Sequence, residues 1–236
     1  MEFHSFSLQH FGILFALALI TYVLIVKGRR AKYFNQRKMA ILLATLIFLS
    51  EITEAIVMLI NGQYDYRMHL PLFLCDISAL MLPFVIFYHN RKWIGILYFW
   101  AMAGTLQALI TPDLDQGFPS FEYFRYFFMH GGIVITILFT VIVFKIRIRW
   151  QDLINAVLYA QVYLVLIHLV NLAFHFNYSY TIAKPPGPTV LDLFGPWPWY
   201  ILWGEVLMIV LFLVLITPFL FTSQSYKLER EAFEGH

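Results

Sequence analysis

LQHFGILFALALITYVLIVKGRRAKYFNQRK, residues 8–38, is the stretch that decides the fold. Its opening run, 8–26, holds no Lys, Arg, Asp or Glu. A helix crosses a bilayer with about 20 mostly apolar residues, so this run reads as one crossing. It breaks into Lys27, Arg29, Arg30, Lys32, Arg37 and Lys38, after which a second apolar run begins. Two crossings joined by a short basic loop make a polytopic membrane protein.

The rest of the chain repeats this pattern. Apolar runs fall at roughly 8–26, 39–61, 71–88, 93–110, 121–145, 153–174 and 198–221. The expectation is an all-α polytopic membrane protein of about seven transmembrane helices, forming a single transmembrane helical domain over residues 1–236. Of the 236 residues 61% are hydrophobic and 13% charged, against about 25% charged in soluble domains. That excludes a soluble globular protein. A net charge of +2 gives no reason to expect nucleic acid. A lone cysteine forms no internal disulfide. Residues 1–10 contain no Lys or Arg, so they lack the basic start of a secretory signal, and the first run reads as a retained helix.

Loop charges set the orientation. Of 16 Lys and Arg, 13 fall at one end of the predicted bundle, and only Arg67, Arg125 and Lys184 fall at the other. Basic loops stay in the cytoplasm, so the N-terminus is expected outside and the C-terminus inside, in a plasma membrane. The outer connections are rich in Pro, Gly and aromatics, as in Lys184-Pro-Pro-Gly-Pro188 and Gly195-Pro-Trp-Pro-Trp199. Such segments are turn-forming and stiff, suited either to a cap or to interfacial anchoring.

Polar residues gather at one depth of this frame. Glu51 and Glu54 lie in or above the middle of span two, and their spacing puts them on one face. Cys75 and Asp76 lie a turn into span three, in His69-Leu-Pro-Leu-Phe-Leu-Cys75-Asp76. Gln107 lies near the outer end of span four, and Arg125 near the top of span five. His130 is about 13 Å down from the start of that span near Phe121. His168 lies near the outer end of span six, with Asn171 and His175 on the same stripe. Glu205 is about two turns into span seven. Intramembrane ionisable groups usually face a bundle interior or wet cavity and mark a site. The bland readings are a small packing cysteine, interfacial histidines and carboxylates that bond neighbouring helices.

A cysteine acts as a nucleophile when a neighbouring base takes its proton. Cys75 is the candidate nucleophile and His130 the candidate base, with His69 as a second candidate. Asp76, Glu51 or Glu205 would orient the imidazole. Glu51, Glu54, Gln107, Arg125, His168, Lys184 and Glu205 form the candidate substrate-binding set. Arg125 and Lys184 suit a lipid phosphate. A thiol in an apolar, water-poor cavity suits acyl transfer between lipids.

Three blocks carry a resemblance. They are His69 to Asp76; Gln107-Ala-Leu-Ile-Thr-Pro112 with Pro119 and the His130 segment; and Asn177-Tyr-Ser-Tyr180 with Lys184-Pro185 and Gly195-Pro-Trp-Pro-Trp-Tyr200. In these the chain resembles the YwaF-type family of bacterial integral membrane proteins. More remotely it is similar to a eukaryotic TMEM-type acyltransferase of ether phospholipids. The resemblance implies a membrane lipid acyltransferase or lipase-like acyl hydrolase, with Cys75 and His130 at the positions of a cysteine and a histidine. It also implies a histidine after the cysteine, where this chain has Asp76. Membrane phospholipids are the expected partners, with no cofactor, no metal and no protein partner. The alternatives are a transporter or lipid- or solute-binding protein, and a metal-dependent membrane hydrolase built on His69, His130, His168 and His175.

Overall fold

A computed structural model describes residues 2–114, 116–185 and 189–220. Asp115, residues 186–188 of the Lys184–Pro188 segment and the tail with Lys227 and Arg230 lie outside the described residues.

Seven helices appear among the described residues: α1 Leu8–Arg30, α2 Tyr33–Ile60, α3 Leu74–Phe87, α4 Arg91–Ile110, α5 Phe121–Val143, α6 Trp150–Phe174 and α7 Trp199–Leu220. Two 3₁₀ turns, Tyr178–Tyr180 and Val190–Phe194, lie between α6 and α7. Six helices are long and apolar enough to cross a membrane. The exception is α3, whose 14 residues extend only about 21 Å. Successive helices alternate in direction. One end of the bundle, the basic end, carries the Lys27–Lys38 and Arg91–Lys92 loops. The other, the cap end, carries the long aromatic connections.

Local chemistry sets the helix starts. Ser7, Asn90 and Ser120 each accept a backbone N–H three residues on, at 3.3, 3.3 and 3.1 Å, satisfying a donor the helix leaves orphaned. The third apolar run is expected to open at Pro71, but α3 begins at Leu74. There the Asp76 carboxylate, in the first turn, accepts the Phe73 N–H at 3.1 Å. Residues 71–73 therefore stay extended.

The bundle is built around α5. Of its most apolar window, 78% is buried, against 6% for α1, which is left to face lipid. Two adjacent glycines let α5 accept neighbours on two adjoining faces. A Cβ on Gly131 would stand 2.7 Å from Leu17 of α1, and one on Gly132 would stand 1.9 Å from Ile47 of α2. Small residues at close helix crossings are the usual means of packing in lipid, where no hydrophobic force drives helices together.

At the basic end one ion pair fixes α4 to α6. Arg91 binds both oxygens of Asp152, at 2.9 and 2.7 Å, and donates to the Arg147 carbonyl. Asp152 also accepts the Arg149 N–H at 2.7 Å, capping α6. A forked guanidinium on a carboxylate is geometrically specific. Here it sets the spacing of two crossings.

Candidate functional site

Cys75 sits on the inward stripe of α3, with Ala79, Leu82 and Ile86 at successive turns, all buried. Its Sγ lies 3.5 Å from the Thr105 hydroxyl of α4. Thr105 closes a π-turn, Ala101–Thr105, within that helix. Such an insertion widens the helix locally and recurs at functional sites. Here it brings a hydroxyl to the only sulfhydryl in the chain. Because α3 is short, its N-terminus stops below the cap, and the half-buried thiol lies inside the bundle.

Carboxylates from α2 and α3 converge beside it. Asp76 and Glu51 are the carboxyl neighbours of Cys75. Glu51 in turn is coupled to Asp76, Glu54 and Arg125. Arg125 donates to Glu54 at 2.6 Å, with both side chains largely withdrawn from solvent. Glu51 is 8% exposed, and its Oε1 is buried without a hydrogen-bond partner among the described residues. Of the three acidic side chains, Glu54 is the one ion-paired to Arg125. Buried polar groups are normally satisfied, so the unpartnered oxygen of Glu51 stands out.

His130 lies on α5, with its ring stacked on Tyr126 at 4.2 Å. Its Nδ1 is 2.9 Å from the Tyr126 carbonyl. A carbonyl only accepts, so Nδ1 carries the proton, and Nε2 keeps its lone pair in the neutral ring. That tautomer follows from the bond rather than from a seen hydrogen. Tyr126 is an electrostatic neighbour of Cys75, as is Tyr163 of α6. Tyr163 donates to the Leu72 carbonyl at 2.9 Å and accepts from the Ser179 hydroxyl. The thiol itself bonds to Thr105 and to no imidazole among the described residues.

The other expected site residues divide. His69 lies in the loop above, is coupled to Glu54 and packs on Tyr64. His168 bonds to Thr181 at 3.2 Å, at the edge of the cap. His175 does not continue the His168–Asn171 stripe into the site. It ends α6 in a left-handed conformation, φ 56°. Gln107 bonds to Thr111, Lys184 to Asp192 at 3.3 Å, and Glu205 to Gln161 across α6 and α7. None of these three is joined to the Cys75 cluster by a hydrogen bond. Among the described residues no group of three or more His, Cys, Asp or Glu is placed to hold a metal ion. Thr105, Tyr126 and Tyr163 were missed by the sequence reading. The nearest sequence signal is the interruption of apolar runs by Gly104-Thr105 and by Gln161 and Tyr163.

Above the cluster the connections at the cap end are bonded to one another. Tyr178, fully buried, donates to the Tyr66 carbonyl at 2.7 Å and accepts the Leu70 N–H at 3.0 Å. Burial pushes its hydroxyl up to about 12, so it remains a donor at neutral pH. Asn171 brackets Tyr178, accepting its N–H at 3.0 Å and donating to its carbonyl and to Thr181 at 2.8 Å. Tyr180 donates to Asp113 and Tyr200 to the Tyr180 carbonyl, at 2.9 and 2.7 Å. Three loops are thereby tied to one another over Cys75. At the rim, the Thr189 N–H and then Lys184 hold Asp192 below the usual carboxylate range.

The TMEM164 family model matches residues 5–216, which include every helix but the last turn of α7. No curated protein and no solved structure matches.

Proposed function

The chain belongs to the TMEM164 family, and we propose that it is a membrane-embedded, thiol-dependent lipid acyltransferase with Cys75 as nucleophile and His130 as base. The observation that carries the reading is the placement of the lone thiol. It lies inside a helical bundle, under the cap, bonded to Thr105 and beside the carboxyl groups of Asp76 and Glu51, and His130 of α5 has an Nε2 free to accept a proton. The similarity to YwaF-type bacterial proteins and to a eukaryotic ether-phospholipid acyltransferase supports the same chemistry.

In this reading His130 Nε2 takes the Cys75 proton, and the thiolate attacks an ester carbonyl of a phospholipid. The acyl C–O bond breaks, and the lysolipid oxygen leaves with the proton from the imidazolium. A hydroxyl of a second lipid then gives its proton to His130 and attacks the thioester. The C–S bond breaks, the acyl group moves to the new oxygen, and the thiol is restored. Arg125, ion-paired to Glu54, is the cation that would take the lipid phosphate. The cap keeps water from the thioester, favouring transfer over hydrolysis. The basic end faces the cytoplasm of a plasma membrane and the cap the outer leaflet, on the charge rule.

Intact-protein mass spectrometry after incubation with defined phospholipids tests this. A hydroxylamine-sensitive acyl adduct is expected on wild type, absent from Cys75→Ser and diminished in His130→Ala. No adduct in any lipid mixture, with lipid turnover unchanged in Cys75→Ser, would overturn it. The orphaned Oε1 of Glu51 favours a second reading, a proton-coupled transporter. Solute uptake into proteoliposomes that Glu51→Gln abolishes and Cys75→Ser leaves intact would establish that instead.

A further inference from the structure

On the face of α3 turned away from Cys75 runs a groove of about 480 Å³. Ile77, Leu80, Met81 and Phe84 line its upper part, at the three- and four-residue spacing of one helical stripe. Tyr88, Asn90 and Trp93 line its lower end, where α3 turns into α4. From Ile77 to Tyr88 the stripe is about 16 Å long. That is about half of a ~30 Å hydrocarbon core, the depth of the chains in one leaflet.

The polarity of this groove has a direction. Its upper walls offer no hydrogen-bonding side chain, and all its polar side-chain atoms lie at the basic end. Two cations flank that mouth. Lys92 donates to the Tyr159 hydroxyl at 2.9 Å and lies over its ring, which packs on Trp93 at 4.9 Å. Arg37 donates to the Phe87 carbonyl at 3.1 Å, and the Phe87 ring packs on Tyr88 at 5.2 Å. Each of these bonds uses one donor of a multi-donor side chain. Arg91, nearby, is committed to Asp152.

We propose that this groove is a binding site for an anionic phospholipid, one acyl chain lying along α3 and the phosphate held at the α3–α4 turn. An apolar groove in a span is filled by hydrocarbon. Lys92 and Arg37, adjoining the lining residues Trp93 and Tyr88 at one end, select the charge of the headgroup, as basic pockets between transmembrane helices do. Interfacial Tyr and Trp at the same mouth suit the headgroup level. The site is separate from Cys75 in both face and depth, and stands whether or not the thiol is catalytic.

The test is native mass spectrometry of the full chain, purified in mild detergent and mixed with phosphatidylglycerol or phosphatidylcholine of identical chains. Wild type is expected to retain one phosphatidylglycerol about tenfold better than phosphatidylcholine. The Lys92→Gln/Arg37→Gln variant is expected to lose that preference. Met81→Trp, which fills the groove, is expected to lose retention of both, whereas Phe15→Trp on the lipid-facing side of α1 keeps it. Leu80→Phe, a smaller intrusion, serves if Met81→Trp proves misfolded by circular dichroism. Equal retention of the two lipids, or unchanged retention in the folded groove-filling variant, would overturn the proposal.

Discussion

Gly95 of α4 lies so close to α6 that an added Cβ would stand 2.6 Å from the Asp152 carboxyl carbon. That carboxylate cannot move without releasing Arg91. Gly95→Ala is therefore expected to lower stability by about 1–3 kcal/mol, read as thermal unfolding in detergent. Gly12→Ala, where nothing lies within 4 Å, is expected to be silent. His89, in the turn between α3 and α4, sits near the rings of Tyr33 and Phe144. Burial, and then Arg37, hold its imidazole below the ordinary value. The unfolded chain thus binds a proton that the folded chain resists as pH falls below about 6.5. Stability is full above that pH and declines below it. The unfolding temperature of His89→Gln is expected to fall less than that of wild type between about pH 7 and pH 5. At this scale the sequence exposes charges better than contacts. Glu51, Glu54, Asp76 and Arg125 stand out because charge is rare in lipid. Thr105, Tyr126 and Tyr163 do not, because hydroxyls are common in helices and only packing shows which of them meet a thiol.

Hydropathy locates helices and is blind to how they bend. The apolar run over 93–110 predicts α4 well, yet the π-turn that carries Thr105 has no hydropathy signature. The second crossing starts at Tyr33 rather than at 39, because Arg37 and Gln36 are compatible with helix and bond to backbone carbonyls nearby. The reverse holds for α3, where an apolar stretch read from Pro71 becomes helical only at Leu74. The cap shows the largest gap between sequence and structure. Its Pro, Gly and aromatics suggest stiff loops, but Asn171, one residue of a helix end, is what fastens it. Asn171→Ala removes three hydrogen bonds at a buried position and is expected to cost about 1–3 kcal/mol. Faster cleavage of the α6–α7 connection in limited proteolysis, with the helix content unchanged, is the expected readout.

Across the whole molecule, the charges were the most legible feature. Once six basic residues are assigned to the first loop, every later loop follows. Single-cysteine labelling in a Cys75→Ser background tests the resulting topology. Lys32→Cys in intact cells is expected to resist a membrane-impermeant maleimide, and Gln63→Cys to react. What the charges did not show is which helix would be central, since α1 and α5 are similarly apolar. The glycine pair beside His130 contributes, by admitting α1 and α2 close against adjoining faces of α5. The brevity of α3 has a consequence for the membrane itself. Its stub leaves the hydrophobic belt of the protein shorter on that flank than elsewhere. A bilayer meets such a mismatch by thinning, at fractions of a kcal/mol per Å. The cap-side leaflet should therefore dimple at α3 and draw its ester linkages toward Cys75. Reconstitution in bilayers of shorter-chain lipids, already thin, is expected to raise lipid turnover per protein, and thicker bilayers to depress it.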